Sequence, residues 1–91
     1  MTLPQNTAGT VLVIDDDEVS LRLLKVNLER SGYGVIPARN AKEGVEAARY
    51  NAPDLVLSDA LLPDSNGLQV CNTLMEDSRT RHIPVIIMSS Q

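Results

Sequence analysis

The residues best suited to chemistry are acidic and stand at the ends of apolar runs. Val11-Leu12-Val13-Ile14 stops abruptly at Asp15-Asp16-Asp17, and Leu55-Val56-Leu57 ends at Ser58-Asp59. A third run, Val85-Ile86-Ile87-Met88, ends at Ser89. An aspartate after a strand is most often a turn residue or a helix cap, so each one alone says little. Brought together, Asp15, Asp16 and Asp59 would repel one another, an arrangement relieved when a divalent cation neutralises it or when one acid takes up a proton. All-oxygen ligation, without His or Cys, favours magnesium or manganese over zinc. A carboxylate can also attack phosphorus to form an aspartyl phosphate, a reaction that mainly requires positioning and neutralisation of oxygen charge. Ser89, at the end of a neighbouring strand, could then donate its hydroxyl hydrogen to a phosphoryl oxygen.

These groups meet only if the elements carrying them are suitably placed. The run Val11 to Ile14 is β-branched and apolar throughout, as in strands buried on both faces. Leu21, Leu24 and Leu28 then recur at helical spacing, with Leu23 and Val26 broadening the stripe and Gly32 as the stop signal. Tyr33 to Pro37 reads as a short second strand. Asn40 with Glu43 resembles a capping box opening a helix through about Tyr50, which Gly44 weakens by up to about 1 kcal/mol relative to Ala. Asn51-Ala52-Pro53 breaks the chain before the third strand, and a loop with Pro63 and Asn66-Gly67 follows Asp59. The next helix carries Leu68, Cys71, Leu74 and Met75 on its apolar side, and Pro84 introduces a fourth buried-type strand that ends at Ser89-Ser90-Gln91. Alternating strands and helices predict an α/β fold with a doubly wound parallel sheet in the order 2-1-3-4. The first helix would cover one face, and the second and third the other. Ligands in such sheets bind beyond the carboxyl ends of strands flanking the point where the chain reverses, here strands one and three.

Other acids compete poorly as reactive groups. Asp54 begins the third strand, at the opposite edge of the sheet; Asp17 is expected to cap the first helix, and Asp64 to stabilise the loop near Asn66-Gly67. His82 reads as a surface residue, and Cys71 as a small core-facing side chain without a basic neighbour in sequence. The 91 residues leave room for one small domain, read as a tail over 1–9 and a domain over 10–91. A composition 43% hydrophobic, with two tyrosines and neither Phe nor Trp, suits an aliphatic core. A net charge of −4 opposes direct binding to nucleic acid or anionic membrane, and no apolar run approaches the roughly 20 residues needed to span a bilayer. One cysteine precludes an internal disulfide, and no secretory signal opens the sequence. A cytoplasmic domain is the expectation.

Taken together, the order and spacing of these segments resemble the receiver domains of two-component response regulators. The resemblance covers Val11 to Ser90, through Asp15-Asp16, Pro53-Asp54-Leu55-Val56-Leu57-Ser58-Asp59, Leu62-Pro63, Asn66-Gly67 and Ile83-Pro84-Val85-Ile86-Ile87-Met88-Ser89. It implies a flavodoxin-like fold in which Asp59 accepts a phosphoryl group from a phosphohistidine on a sensor histidine kinase or histidine phosphotransfer protein. Asp16 and Asp59 would ligate magnesium directly with the backbone carbonyl of Leu61, and Asp15 would act through water. Ser89 matches the family's hydroxyl switch. Such a domain is a phosphoacceptor, with at most self-directed phosphoryl transfer and autodephosphorylation, and not an enzyme with turnover; an output domain in a longer chain is implied.

Leu62, Asn66 and Ser90 replace the family's commoner Met, Asp and Ala, removing no required group. The family pattern continues with a fourth helix, a fifth strand ending in lysine and a fifth helix, so this sequence is expected to be incomplete at its C-terminus. Its fourth strand would be an apolar edge prone to pairing with another copy as a homodimer. Two other readings fit parts of the sequence. One is a pseudo-receiver or truncated interaction module that binds partners without phosphorylation. The other is a haloacid dehalogenase-like phosphatase, in which Val11 to Val19 would supply Asp15 as nucleophile and Asp17 as acid/base.

Overall fold

A computed structural model describes residues 8–89, so the expectations for residues 1–7 of the tail and for Ser90 and Gln91 lie outside the described residues. Seven elements alternate: β1 (Thr10–Ile14), α1 (Glu18–Arg30), β2 (Gly34–Ala38), α2 (Ala41–Asn51), β3 (Leu55–Asp59), α3 (Gly67–Met75) and β4 (Val85–Met88). The strands form one parallel sheet in the order β2-β1-β3-β4, as the sequence predicts. Register aligns the carboxyl ends: Ile14 of β1 lies opposite Ala38 of β2 and Ser58 of β3, and Asp59 lies opposite Met88 of β4.

Side chains alternate across the sheet, which divides the core in two. Leu12, Ile14 and Val56 face α2 and α3, packing with Ala48, Val70, Leu74 and Ile83. Val11 and Val13 face α1 and pack with Leu21, Leu24 and Leu28. β1, central in both layers, is wholly buried from Val11 to Ile14.

Two helices present narrower apolar faces than expected. On α1 the Leu21, Leu24 and Leu28 stripe meets the sheet, while Leu23 and Val26 are exposed. On α3 the inward stripe is Gly67, Val70 and Leu74, leaving Leu68 (62% exposed) and Met75 (59%) outside. Each residue advances about 100° around a helix, so a position one step off a stripe of three turns away from the sheet. Cys71 is half-buried, and its Sγ lies 3.8 Å from Met75 Sδ. β4 is likewise not fully buried: as an edge strand it exposes Ile86 (51%) and Ile87 (40%), in agreement with the expected apolar edge. β2 begins one residue later than predicted because the Tyr33 amide is taken up in the motif that closes α1. The Tyr33 amide donates to the Leu28 carbonyl and the Gly32 amide to that of Glu29, a Schellman closure with Gly32 at φ +96°.

The termini of α2 explain two residues that propensity alone misjudges. Gly44 is buried on the inward face, where a Cβ would collide with the side chain of Ile14. Ala52 ends the helix in the left-handed region, φ 45° and ψ 60°, where a Cβ is strained. We therefore expect Gly44→Ala to destabilise the domain by about 1–3 kcal/mol through overpacking, although propensity alone favours alanine. Ala52→Gly is expected to stabilise it by up to about 1 kcal/mol. Urea unfolding midpoints shifting in these opposite directions would confirm both assignments.

Candidate functional site

The switch in chain direction beside β1 brings the ends of β1 and β3 together, and with them the acids. Asp15 extends the first ladder by one residue, its amide donating to the Ala38 carbonyl at 3.0 Å, so it is held as firmly as a strand residue and is only 6% exposed. Its Oδ1 accepts from the Asp17 amide at 2.9 Å, fixing the turn that leaves Asp16 exposed. Asp59 closes β3 and is half-buried; the following amide, of Ala60, donates to the Met88 carbonyl at 3.0 Å. Ligand atoms of Asp15, Asp16 and Asp59 all lie within 4.8 Å of one another. A cleft of about 460 Å³ opens there, lined by Asp15, Asp17, Ser20, Asp59, Met88 and Ser89 together with Leu23 and Leu24. Ser89 therefore shares the cleft with the acids.

Leu61 stands two residues beyond Asp59 with its side chain exposed, in a turn that is stiff by its own bonds. Leu61 bridges Asn66, the Leu62 amide donates to the Ser65 carbonyl at 3.1 Å, and the Gly67 amide donates to the Ala60 carbonyl at 3.0 Å. Leu62 is buried in the core beneath this turn. Asn66 caps α3, its Oδ1 accepting from the Gln69 amide at 2.9 Å.

No Lys, Arg or His lines the cleft among the described residues. Burial pushes the Asp15 carboxyl above the usual aspartate range, and the charges of Asp59, Asp16 and Asp17 add to the effect against the hydrogen bond from the Asp17 amide. Asp59 Oδ1 is fully buried and accepts no hydrogen bond among the described residues. Buried carboxylate oxygens are rarely left without a donor. An unpartnered oxygen beside two further carboxylates fits a hard divalent cation, which takes oxygen ligands and supplies the missing positive charge.

The remaining acids are engaged elsewhere. Asp17 caps α1, accepting from the Val19 amide and the Ser20 hydroxyl, and the Ser20 bond is the main cause of its lowered pKa. That engagement argues against Asp17 as an acid/base. Asp54 sits at the opposite sheet edge and accepts from the Thr10 amide at 2.8 Å. Asp64 departs from expectation: rather than bonding within its own loop, it accepts from the amides of Ala41 and Lys42 at the start of α2. His82 is exposed before β4, away from the cleft lining.

Two contributors escaped the sequence reading. Gly67 begins α3 so close to β3 that a Cβ there would lie 2.7 Å from the Asp59 carbonyl oxygen. Its glycine identity was visible, but its contact with the acceptor strand is a tertiary fact. Ser58 is fully buried beside Asp59, and its hydroxyl donates to the Asp59 carbonyl at 3.0 Å; no sequence signal separates it from an ordinary strand serine.

Like charge confined in a cleft destabilises the cation-free fold. Asp15→Asn keeps the acceptor for the Asp17 amide and removes one charge, so in chelator at neutral pH it should be more stable than the parent by on the order of 1 kcal/mol. Because the folded pKa of Asp15 is raised, the parent recovers this difference as pH falls through that value and the acid protonates. Thermal melts at neutral and acidic pH should show the gap closing; an equal gap at both would disprove the electrostatic origin.

The site's geometry has counterparts among known proteins. The sequence profile described as "Response regulator receiver domain" matches residues 11–91. The polar-differentiation response regulator DivK of Brucella anthropi is 40% identical over 81 residues, covering 89% of this chain and 66% of that protein. The N-terminal domain of a response regulator receiver protein from Methanoculleus marisnigri superposes with a TM-score of 0.88 at 33% identity, covering 93% of this chain and 69% of that one. The signal receiver domain of a signal transduction histidine kinase from Syntrophus aciditrophicus gives 0.85 at 34% identity, covering 91% and 63%. The chain thus spans about two thirds of the length of the curated relatives it matches. With its sheet order, its clustered strand-end acids and these similarities in agreement, the chain belongs to the response regulator receiver domain family.

Proposed function

We propose that this domain accepts a phosphoryl group on Asp59 from a phosphohistidine of a sensor histidine kinase or histidine phosphotransfer protein. The observation that carries the reading is the buried Oδ1 of Asp59, unpartnered among the described residues, on one member of a carboxylate trio. A carboxylate held without hydrogen bonds keeps its lone pairs available, and β3 fixes its approach to the cleft. In the transfer, an Asp59 oxygen forms a bond to phosphorus as the phosphorus–nitrogen bond breaks. The bonding pair returns to the imidazole of the donor, and the product is an aspartyl phosphate.

Asp16, Asp59 and the Leu61 carbonyl would hold magnesium or manganese, with Asp15 acting through water. When bound, the ion supplies positive charge against the phosphoryl oxygens. Asp15 and Asp16 orient this charge, and the stiff turn from Ala60 to Asn66 keeps Leu61 in place. The Ser89 hydroxyl, on the same cleft, would donate to a phosphoryl oxygen and so sense the modification. The reading includes no turnover of external substrates and no direct contact with nucleic acid. Among the described residues no helix is long and apolar enough to cross a membrane; a cytoplasmic setting and an output domain in a longer chain follow from the proposed role.

Intact-mass spectrometry after incubation with acetyl phosphate and magnesium tests this. One phosphoryl group should be added, and none in Asp59→Asn or in chelator. Ser89→Ala should retain the site but slow its phosphorylation roughly 10- to 100-fold, the equivalent of about 1.5–3 kcal/mol for a hydrogen bond to a charged group. Phosphorylation persisting in Asp59→Asn, or absent from the parent, would reject the proposal.

A further inference from the structure

The first turn of α2 has more capping than its own sequence supplies. Asn40 Oδ1 accepts from the Glu43 amide at 2.8 Å, and Glu43 Oε1 reaches back to the Arg39 amide at 3.1 Å. That local box leaves the amides of Ala41 and Lys42, which in most helices face water. Here both are taken by one carboxylate from 23 and 22 residues away: Asp64 Oδ1 accepts from Ala41 at 2.8 Å and Oδ2 from Lys42 at 3.0 Å. A negative charge at this end also complements the helix dipole.

The donor of that carboxylate is the turn that follows Asp59. The turn is closed at its base by Gly67 to Ala60, braced within by Leu62 to Ser65 and the Leu61–Asn66 bridge, and anchored below by buried Leu62. Leu61 and Asp64 are thus two ends of one stiff unit. One end lies two residues beyond Asp59, and the other holds the start of α2. Neither can shift without straining the bonds at the other.

We infer that Asp64 is a positioning residue for the cation site, tying the Ala60–Asn66 turn to the Ala41 and Lys42 amides of α2 so that site occupancy and the protection of those two amides are coupled. The inference rests on the cation-dependent reading above. Coupling of this kind is reciprocal: what stabilises the turn also stabilises the amides it binds, and loosening those amides weakens the site. The Glu43 amide is a built-in reference, since its partner is Asn40 and not the turn.

Two measurements with magnesium alone as the probe test the inference on the folded chain. Amide exchange followed by NMR should slow at Ala41 and Lys42 when magnesium is added, and change less at Glu43. Magnesium titrations should show Asp64→Ala weakened about tenfold, as for the loss of an outer partner of a metal ligand. Asp64→Asn, which keeps an acceptor without the charge, should fall between the two. Asn40→Ala removes the cap on the Glu43 amide and leaves both Asp64 bonds in place, so it should weaken magnesium binding less than Asp64→Ala, by about twofold, even where it lowers stability comparably. If Asn40→Ala and Asp64→Ala weaken magnesium equally, or if exchange at Ala41 and Lys42 is indifferent to the ion, the coupling is overturned. A parent chain that does not bind magnesium, or an Asp59→Asn chain that binds equally well, would instead overturn the underlying reading and this inference with it.

Discussion

Everything at the carboxyl edge of the sheet is organised around the confinement of like charge. Three carboxylates share a space less than 5 Å across, on the margin of an aliphatic core, and among the described residues no cationic side chain lines the cleft. Such a cluster raises the free energy of the fold, so the backbone beneath it must be secured by other means. β1 provides this by burial on both faces and by parallel ladders that run on through the amides of Asp15 and Ala60. Gly67 provides it on the other side, allowing α3 to begin against the Asp59 carbonyl where any side chain would force the strand end outward.

Hydrogen bonding sorts the aspartates into two classes. Asp17, Asp64 and Asp77 are supplied with donors, and their pKa values fall accordingly. For Asp77 the Arg79 side chain is the main cause, followed by the Arg79 amide, with Arg49 adding a bond that ties α2 to the turn after α3. These acids are structural, and their charge is satisfied locally. Asp15 and Asp59 differ: the former is pushed toward its neutral form by burial despite the Asp17 amide, and the latter has an oxygen with no donor among the described residues. A buried carboxylate oxygen left short of donors, as on Asp59, remains available to a ligand, and this distinction marks the site independently of any resemblance.

Much of this was legible in the residues because it depends on patterns that sequence carries directly. Three apolar runs and the Tyr33 to Pro37 segment gave four strands, the expected order 2-1-3-4 put the reversal beside β1, and acids at the ends of β1 and β3 then converge. Asn40 and Asp17 as caps were readable because their partners are two or three residues away. What could not be read depends on distance or rotation. Leu23, Val26, Leu68 and Met75 are apolar and close to the right spacing, yet a step of about 100° places them outside stripes that only packing selects. The partner of Asp64 lies 23 residues away, and the value of Gly44 and Gly67 lies in what approaches them, Ile14 and the Asp59 carbonyl.

The same distinction explains why the turn after Asp59 combines stiffness with exposure. Under the proposed cation reading a carbonyl of this turn must be both reachable and fixed, because ion affinity falls quickly if a ligand wanders. Leu61 is exposed while its neighbours are fixed: Leu62 in the core, Asn66 at a helix cap and Asp64 on two distant amides. Each anchor uses a different element, so the turn is located relative to α2, α3 and β3 at once. The precision of the site therefore belongs to the tertiary arrangement as much as to the strand ends, and a short exposed segment acquires the rigidity of the core without entering it.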